Sequence, residues 1–149
     1  MNNYYNLAIE PFNNSAIKLT IPIRNTYTKP EKLKSRKLID QLFAKGKSFG
    51  VFPLKVFYME SSSGKGESIQ AGVGVSSRNF RKAVDRNRIK RLLREVYRLN
   101  KTLLQEPVTT QEQKLSVFFL YTGKELPEFA LLNDKMRKAL EKLAATIQS

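Results

Sequence analysis

The residues of this chain whose type and spacing point to a chemical role are the basic ones, lysine and arginine. One stretch holds many of them. Between Arg78 and Lys101 the sequence contains ten basic residues and two acidic ones, Asp85 and Glu95, so this stretch carries a net +8. The whole chain has a formal net charge of +14. Such a surplus repels itself unless a polyanion is present, so it favours nucleic acid or an anionic membrane surface as the partner.

Most familiar catalytic chemistry is excluded by the composition. The chain has no cysteine and no histidine, which excludes disulfides, Cys/His zinc sites, Ser-His-Asp and Cys-His triads and any imidazole base. The carboxylates are scattered, with no spacing typical of metal ligands or of an acid/base pair. We therefore expect no catalytic residue, no metal site and no small-molecule substrate. A nuclease acting by itself would need a carboxylate cluster, which the sequence does not indicate.

The length of 149 residues predicts one domain. No apolar run approaches the ~18 residues of a membrane span, and the start of the chain lacks the order of a secretory signal. We therefore expect a soluble cytoplasmic protein without a membrane partner.

The composition changes near Lys29 and Pro30. Residues 1–28 are nearly neutral and are predicted to form a flexible extension, and residues 29–149 are predicted to form the domain.

The first half of the domain is predicted to hold one helix and two strands. The helix begins after Ser35, a plausible N-cap, and ends at Gly46. The runs 54–59 and 69–75 are rich in residues that favour strands. We interpret these two runs as a hairpin, with the Ser/Gly stretch 61–66 as its flexible loop.

The second half is predicted to contain a long amphipathic helix over 83–104, which Pro107 prevents from continuing. The almost wholly apolar run 115–121 is typical of a strand buried on both faces, and a closing helix covers 132–147. The order is α-β-β-α-β-α. This order predicts a single small α/β (α+β) domain with helices packed on a central sheet.

The amphipathic helix separates a core face from a cationic face. A solvated face normally interleaves Glu with Lys at i, i+4 spacing, but here only Glu95 does so. We therefore favour polyphosphate binding over a solvated surface, and over a membrane-surface helix, whose apolar face would enter lipid. The predicted core face holds Ile89, Leu92, Leu93, Val96 and Tyr97, and the cationic face holds Lys90, Arg91, Arg94, Arg98 and Lys101.

Several aromatic residues could stack on unpaired bases, although aromatics at strand or helix spacing more often belong to a core. Phe57 is the strongest candidate, because it shares a strand face with Lys55 while its apolar neighbours in sequence take the other face. The candidates are Phe43, Phe49, Phe52, Phe57 and Tyr58.

Residues 83–95 closely resemble the signature of the bacterial ribonuclease P protein component, an Arg-Asn-Arg followed by Ile-Lys-Arg. Residues 32–46 look like the opening helix of that family, and residues 71–76 look like the strand that leads into the signature. The resemblance covers about residues 29–145. Ile39 stands where the family commonly has an aromatic residue.

The resemblance implies a small protein with a left-handed β-α-β crossover that binds a large catalytic RNA and the 5′ leader of precursor tRNA. The RNA would remove the leader with Mg²⁺, while the protein contributes electrostatics and positioning. The leader would lie in a cleft between the first helix and the sheet, at Phe43, Ser48 and Phe57. The resemblance, together with the cationic face, assigns RNA contact to Arg86, Asn87, Arg88, Lys90, Arg91, Arg94 and Arg98.

The alternative is a non-enzymatic RNA-binding protein, of ribosomal or RNA-chaperone type, with the same cationic helix. Composition alone does not separate the two. The signature favours the ribonuclease P subunit, and the dependence of tRNA-precursor cleavage on the chain would decide between them.

Overall fold

The computed structural model describes residues 26–61, 68–110 and 114–148. The predicted extension therefore lies outside the described residues as far as residue 25, and the predicted loop does so from residue 62. The described elements are a short 3-10 helix (Lys29–Glu31), α1 (Arg36–Lys45), β1 (Lys47–Val51), β2 (Leu54–Ser61), β3 (Ile69–Val75), α2 (Ala83–Asn100), α3 (Thr102–Thr110), β4 (Lys114–Tyr121) and α4 (Phe129–Gln148).

The four strands form one sheet in the order β1-β2-β4-β3. β2 is antiparallel to β1 and to β4, whereas β3 is parallel to β4. The predicted hairpin between β2 and β3 is therefore wrong, because β4 lies between them. A strand as apolar as β4 is buried most fully with a neighbour on each edge. The connection from β3 to β4 passes through α2 and α3, and its left-handed sense stays a prediction.

The larger core lies on one face of the sheet, beneath α2, α3 and α4. Alternate residues of β2 and β4, such as Val56 and Val117, point into it and are fully buried. From the helices, Leu93 and Leu140 meet them with no exposed surface. The predicted α+β class, with helices packed on a central sheet, is confirmed.

The opposite face carries α1 and a smaller core. Leu42 of α1 and Leu33, just before it, pack with Phe118 of β4. The ring of Phe118 also lies against β3, where a Cβ atom on Gly74 would come within 2.7 Å of its Cζ atom. Glycine in β3 therefore lets this ring lie flat against the sheet.

The predicted ends of α1 are confirmed. The backbone N–H of Leu38 donates to Ser35 Oγ at 3.3 Å, so Ser35 caps the N-terminus. At the other end Gly46 donates its N–H to the carbonyl of Leu42 at 2.9 Å. A Cβ atom on Gly46 would lie 2.4 Å from that oxygen, so this position requires glycine because of the close approach.

The predicted helical stop before Pro107 is wrong. α2 ends at Asn100, but Lys101 keeps helical dihedral angles (φ −64°, ψ −21°) and α3 follows directly. Pro107 lies inside α3, where a proline removes one backbone donor, yet the helix continues to Thr110. Among the described residues, no helix has both the length and the apolar character that crossing a membrane requires.

Candidate nucleic-acid interface

α2 is amphipathic in the way that its sequence predicts. Ile89, Leu93 and Val96 have no exposed surface, and Tyr97 is 2% exposed. These residues recur at helical spacing and pack on the sheet and on α4. Because one face of α2 is fixed by this packing, the opposite face is held toward solvent.

The solvent face of α2 carries an arginine stripe, which we define as Arg88, Arg91 and Arg94. All three side chains are exposed, and none of them forms a hydrogen bond or an ion pair with a residue in the described part of the chain. Asn87 is also exposed, and Lys90 is half-buried. Guanidinium groups without carboxylate partners are suited to bidentate contacts with phosphate oxygens.

Arg86 is placed differently from the stripe. Its Nη1 atom donates to the carbonyl oxygens of Phe80 at 2.9 Å and of Arg81 at 2.7 Å. Arg86 therefore fixes the loop that precedes α2, a position for which sequence reasoning predicted only RNA contact. Its Nε and Nη2 atoms form no hydrogen bond with a described residue and can still donate to a phosphate.

Arg98 lies at the end of the cationic face and is held by Glu95. Its Nε and Nη2 atoms donate to the two carboxylate oxygens at 2.9 and 2.7 Å. The hydrogen bond from Arg98 holds the pKa of Glu95 below its usual range. The charge of Arg98 is thus largely compensated within the helix.

The prediction that Lys101 projects from the cationic face is wrong. Its side chain is 3% exposed, and its Nζ atom lies 2.6 Å from Glu31 Oε1 and also donates to the carbonyl of Thr26. The junction between α2 and α3 is covered by the chain that precedes α1, which removes Lys101 from solvent. Five predicted cations on this face are therefore reduced to four.

The segment before α1 also adds Tyr27 to the surface beside α2. The Tyr27 hydroxyl donates to the carbonyl of Ala71, and its ring meets Tyr97 edge-on at 5.4 Å between centroids. Burial raises the pKa of Tyr27 to about 12, so the hydroxyl stays protonated and remains a donor. An open pocket of about 450 Å³ is lined by Tyr27, Arg91, Leu92, Arg94, Glu95 and Arg98.

Sequence reasoning missed Tyr27 because it lies in the predicted extension. A signal was present one residue later, since Thr28 and Glu31 have the spacing of a helix start. In the structure the Glu31 carboxylate accepts from the Thr28 backbone N–H at 2.8 Å and from its hydroxyl at 2.7 Å. This turn fixes the chain next to Tyr27.

The other face of the sheet carries the residues of the cleft that the resemblance predicts, and we use the name aromatic cleft for Phe43, Phe57, Ser48 and Lys55. The rings of Phe43 and Phe57 lie 4.8 Å apart, and Phe43 is 45% exposed. Ser48 of β1 is directly opposite Phe57 of β2, so the two share a face. Lys55 Nζ lies 5.2 Å from the centroid of Phe57. The three residues predicted for the leader are thus brought together.

The remaining aromatic candidates lie outside the cleft. Tyr58 is 6% exposed and points to the larger core, as does Phe49, whose ring lies 6.0 Å from it. Phe52 is 74% exposed, in the turn between β1 and β2. Ile39, one turn before Phe43, packs into the smaller core and offers no ring.

The cleft and the arginine stripe lie on opposite faces of the sheet. Phe57 and Phe118 belong to the face under α1. α2 packs on the alternate residues of the same strands, such as Val56 and Val117, whose side chains point to the other face. The molecule therefore presents two separate surfaces to a partner, one strongly cationic and one aromatic. They are chemically suited to a phosphate backbone and to unpaired bases, respectively.

Comparison with known proteins identifies the family. A family model described as Ribonuclease P matches residues 27–144. The chain belongs to the ribonuclease P protein family. It is 37% identical over 131 residues to the ribonuclease P protein component of Porphyromonas gingivalis, which covers 88% of this chain and 96% of that protein. It is 33% identical over 129 residues to the ribonuclease P protein component of Chlorobium phaeobacteroides, and this match covers 80% of this chain and 88% of that protein.

Solved structures of ribonuclease P proteins share the fold. The RNase P protein of Thermotoga maritima matches with a TM-score of 0.59 at 22% identity, covering 75% of this chain and 96% of that one. The protein of Staphylococcus aureus matches with a TM-score of 0.56 at 16% identity, covering 80% and 98%. The resemblance that the signature indicated is thus confirmed at the level of family and fold.

Proposed function

We propose that this chain is the protein subunit of ribonuclease P and assists the removal of 5′ leaders from precursor tRNAs. The observation that carries the proposal is the arginine stripe, Arg88, Arg91 and Arg94, exposed and without ion-pair partners in the described residues. These residues lie in the stretch 83–95 that resembles the family signature, within the residues 27–144 that match the family model.

In this proposal the stripe binds the backbone of the ribonuclease P RNA. Three guanidinium groups on one helix face can each neutralise a phosphate, and the counterions released favour the complex. Arg86 keeps the loop before α2 in place through its two carbonyl contacts and presents its remaining donors at the same end of the helix. The protein thereby lowers the electrostatic repulsion between the RNA subunit and a second RNA, the precursor.

The aromatic cleft is proposed to hold the single-stranded leader. Its rings can contact bases of any sequence, because every base has an apolar face. Lys55, over the ring of Phe57, supplies a cation for the leader's phosphates. Because the cleft lies across the sheet from the stripe, the leader and the RNA subunit would contact the protein at the same time without competing.

Catalysis is assigned to the RNA subunit together with Mg²⁺. Within residues 26–61, 68–110 and 114–148 no three carboxylates form a group that could hold a metal ion. In this proposal the Mg²⁺ is bound by the RNA subunit. The residues of this chain bind and orient RNA.

The test is cleavage of a leader-bearing tRNA precursor by the ribonuclease P RNA of the same organism at low Mg²⁺, with and without the chain. We expect the chain alone to be inert and the two together to cleave. Binding to RNA without any stimulation of cleavage would contradict the proposal and favour the general RNA-binding protein. Cleavage by the chain alone would favour a protein-only nuclease.

A further inference from the structure

The surface between Tyr27 and the arginine stripe has the features of a nucleotide-binding pocket. We propose that Arg91 and Arg94 bind a phosphate of the ribonuclease P RNA there, while the ring of Tyr27 contacts the adjoining base. The inference rests on the proposed function. It extends the RNA interface from α2 to the segment that precedes α1, which the signature does not include.

The pocket is large enough for one nucleotide. Its volume of about 450 Å³ lies within the ~300–1,000 Å³ typical of small-ligand sites. α2 supplies one wall, through residues spaced three and four apart, and Tyr27 supplies the other. The two walls come from parts of the chain more than sixty residues apart, so the pocket exists only when the segment before α1 is seated on α2.

The lining matches a nucleotide better than a free anion. Arg91 and Arg94 have no hydrogen-bond or ion-pair partner in the described part of the chain, whereas Arg98 is compensated by Glu95. The positive charge is therefore concentrated at one side of the pocket. The ring of Tyr27 and the side chain of Leu92 provide apolar surface beside it. A bare phosphate would leave that surface unused, whereas a nucleotide brings a base to cover it.

Tyr27 is held in place before any ligand arrives. Its hydroxyl is bonded to the Ala71 carbonyl, its ring rests against Tyr97, and Lys32 Nζ lies 5.5 Å from its centroid. Lys101 bonds the adjoining carbonyl of Thr26. A ring fixed by these contacts loses little conformational entropy when a base packs against it, which favours binding.

The test measures the affinity of the full chain for the ribonuclease P RNA across a salt series, using Tyr27→Leu, Tyr27→Phe and Arg91→Ala. Tyr27→Leu should weaken binding about tenfold, the effect of losing one stacked base, and leave the salt slope unchanged. Tyr27→Phe keeps the ring and should stay within about twofold of the wild type. Arg91→Ala should reduce the slope by about 0.7 to 0.9 for one lost phosphate contact.

Phe52→Leu is the matched control. Phe52 is exposed next to β1, at one edge of the sheet. Tyr27 lies at the opposite edge, where its hydroxyl donates to the carbonyl of Ala71 in β3. This variant should bind like the wild type. Thermal unfolding of each variant checks that it is folded.

A crosslinking experiment needs no variant. Ribonuclease P RNA containing 4-thiouridine is irradiated with the wild-type chain, and the tryptic peptides are analysed by mass spectrometry. The peptide 25–32 contains Tyr27 as its only aromatic residue, and we expect it to carry a crosslinked nucleotide.

Three results would overturn the inference while leaving the proposed function intact, provided that the wild type still stimulates precursor cleavage. They are equal losses in Tyr27→Leu and Tyr27→Phe, a lower salt slope in Tyr27→Leu, and crosslinks to α2 without any to peptide 25–32. The first two would mean that Tyr27 only positions the arginines. A wild type that neither binds the RNA nor stimulates cleavage would overturn both proposals.

Discussion

Lys101 and Glu31, seventy residues apart in the sequence, form an ion pair with 2.6 Å between Nζ and Oε1. Their side chains are only 3% and 14% exposed. The pair joins the end of α2 to the segment before α1, and Lys101 Nζ also donates to the carbonyl of Thr26, the residue before Tyr27. Two charges removed from water stabilise the fold only while both are present.

Glu31→Gln should therefore destabilise the protein, since it leaves the Lys101 ammonium buried without a counter-charge. We expect a loss of about 3 kcal/mol in the free energy of unfolding, at the low end for a broken buried pair because Glu31 retains some solvent contact. Urea denaturation measures it. The control is Glu60→Gln on the exposed surface of β2, which should change stability by less than about 0.5 kcal/mol. Equal stabilities of the two variants would contradict this role of the pair.

The same pair predicts a pH dependence. Burial alone would raise the pKa of Glu31, but hydrogen bonds from Lys101 and Thr28 outweigh it, and the pKa lies below the ordinary 4.5. A carboxyl with a lowered folded pKa stabilises the fold above its ordinary pKa, and this contribution is lost as the pH falls through the lowered value.

Unfolding free energies measured from pH 7 down to about pH 3 should fall more steeply for the wild type than for Glu31→Gln. The lowered pKa of Glu95 contributes to both proteins and so cancels in their difference. Parallel curves for the two proteins would show that Glu31 is not the group that titrates.

Gly74→Ala tests the packing of Phe118 against β3. The new Cβ atom would lie 2.7 Å from the ring, so the ring or the strand must move, at a cost of about 1–3 kcal/mol. Gly50→Ala in β1 is the control, because its Cβ atom would meet nothing closer than 4.0 Å. Gly74→Ala should cost less stability in a Phe118→Leu background than in the wild type, because the ring that the new Cβ atom meets is then absent. If chemical denaturation shows the two alanine variants to be equally stable, the close contact does not constrain this face.

The elements that could be predicted from the sequence are those with local signals. Ser35 and Gly46 mark the two ends of α1, and the apolar spacing of α2 fixes its buried face. β1 was missed because Lys47–Val51 has little of the apolar alternation that distinguishes a strand. The placement of β4 between β2 and β3 depends on contacts between distant parts of the chain, which no local pattern encodes.

The candidate site divides in the same way. In the arginine stripe, Arg91 and Arg94 follow from helical periodicity, whereas Arg88 follows from the resemblance to the family signature. The removal of Lys101 from the cationic face could not be predicted, because its partner Glu31 lies seventy residues earlier. The place of Tyr27 beside α2 could not be predicted either, because it depends on a hydrogen bond to Ala71, which is also distant in the sequence.

The aromatic cleft predicts a preference for precursors that carry a leader. Phe57→Leu keeps an apolar side chain but removes the ring that Phe43 and Lys55 contact. In a holoenzyme assembled with the ribonuclease P RNA, this variant should lose about tenfold in affinity for a leader-bearing precursor and almost none for mature tRNA. Phe52→Leu, outside the cleft, should lose nothing with either RNA. Equal losses of affinity for precursor and mature tRNA would contradict binding of the leader in the cleft.

The central claim is that the arginine stripe lets this chain act with the ribonuclease P RNA. The most direct measurement is the cleavage rate of a leader-bearing precursor at low Mg²⁺, as the wild type or the Arg88→Ala, Arg91→Ala, Arg94→Ala triple variant is titrated into the RNA. The wild type should stimulate cleavage, and the variant should need a far higher protein concentration at the same salt, since three phosphate contacts are lost. Stimulation at the same concentration by both proteins, with the variant confirmed to be folded, would contradict the account.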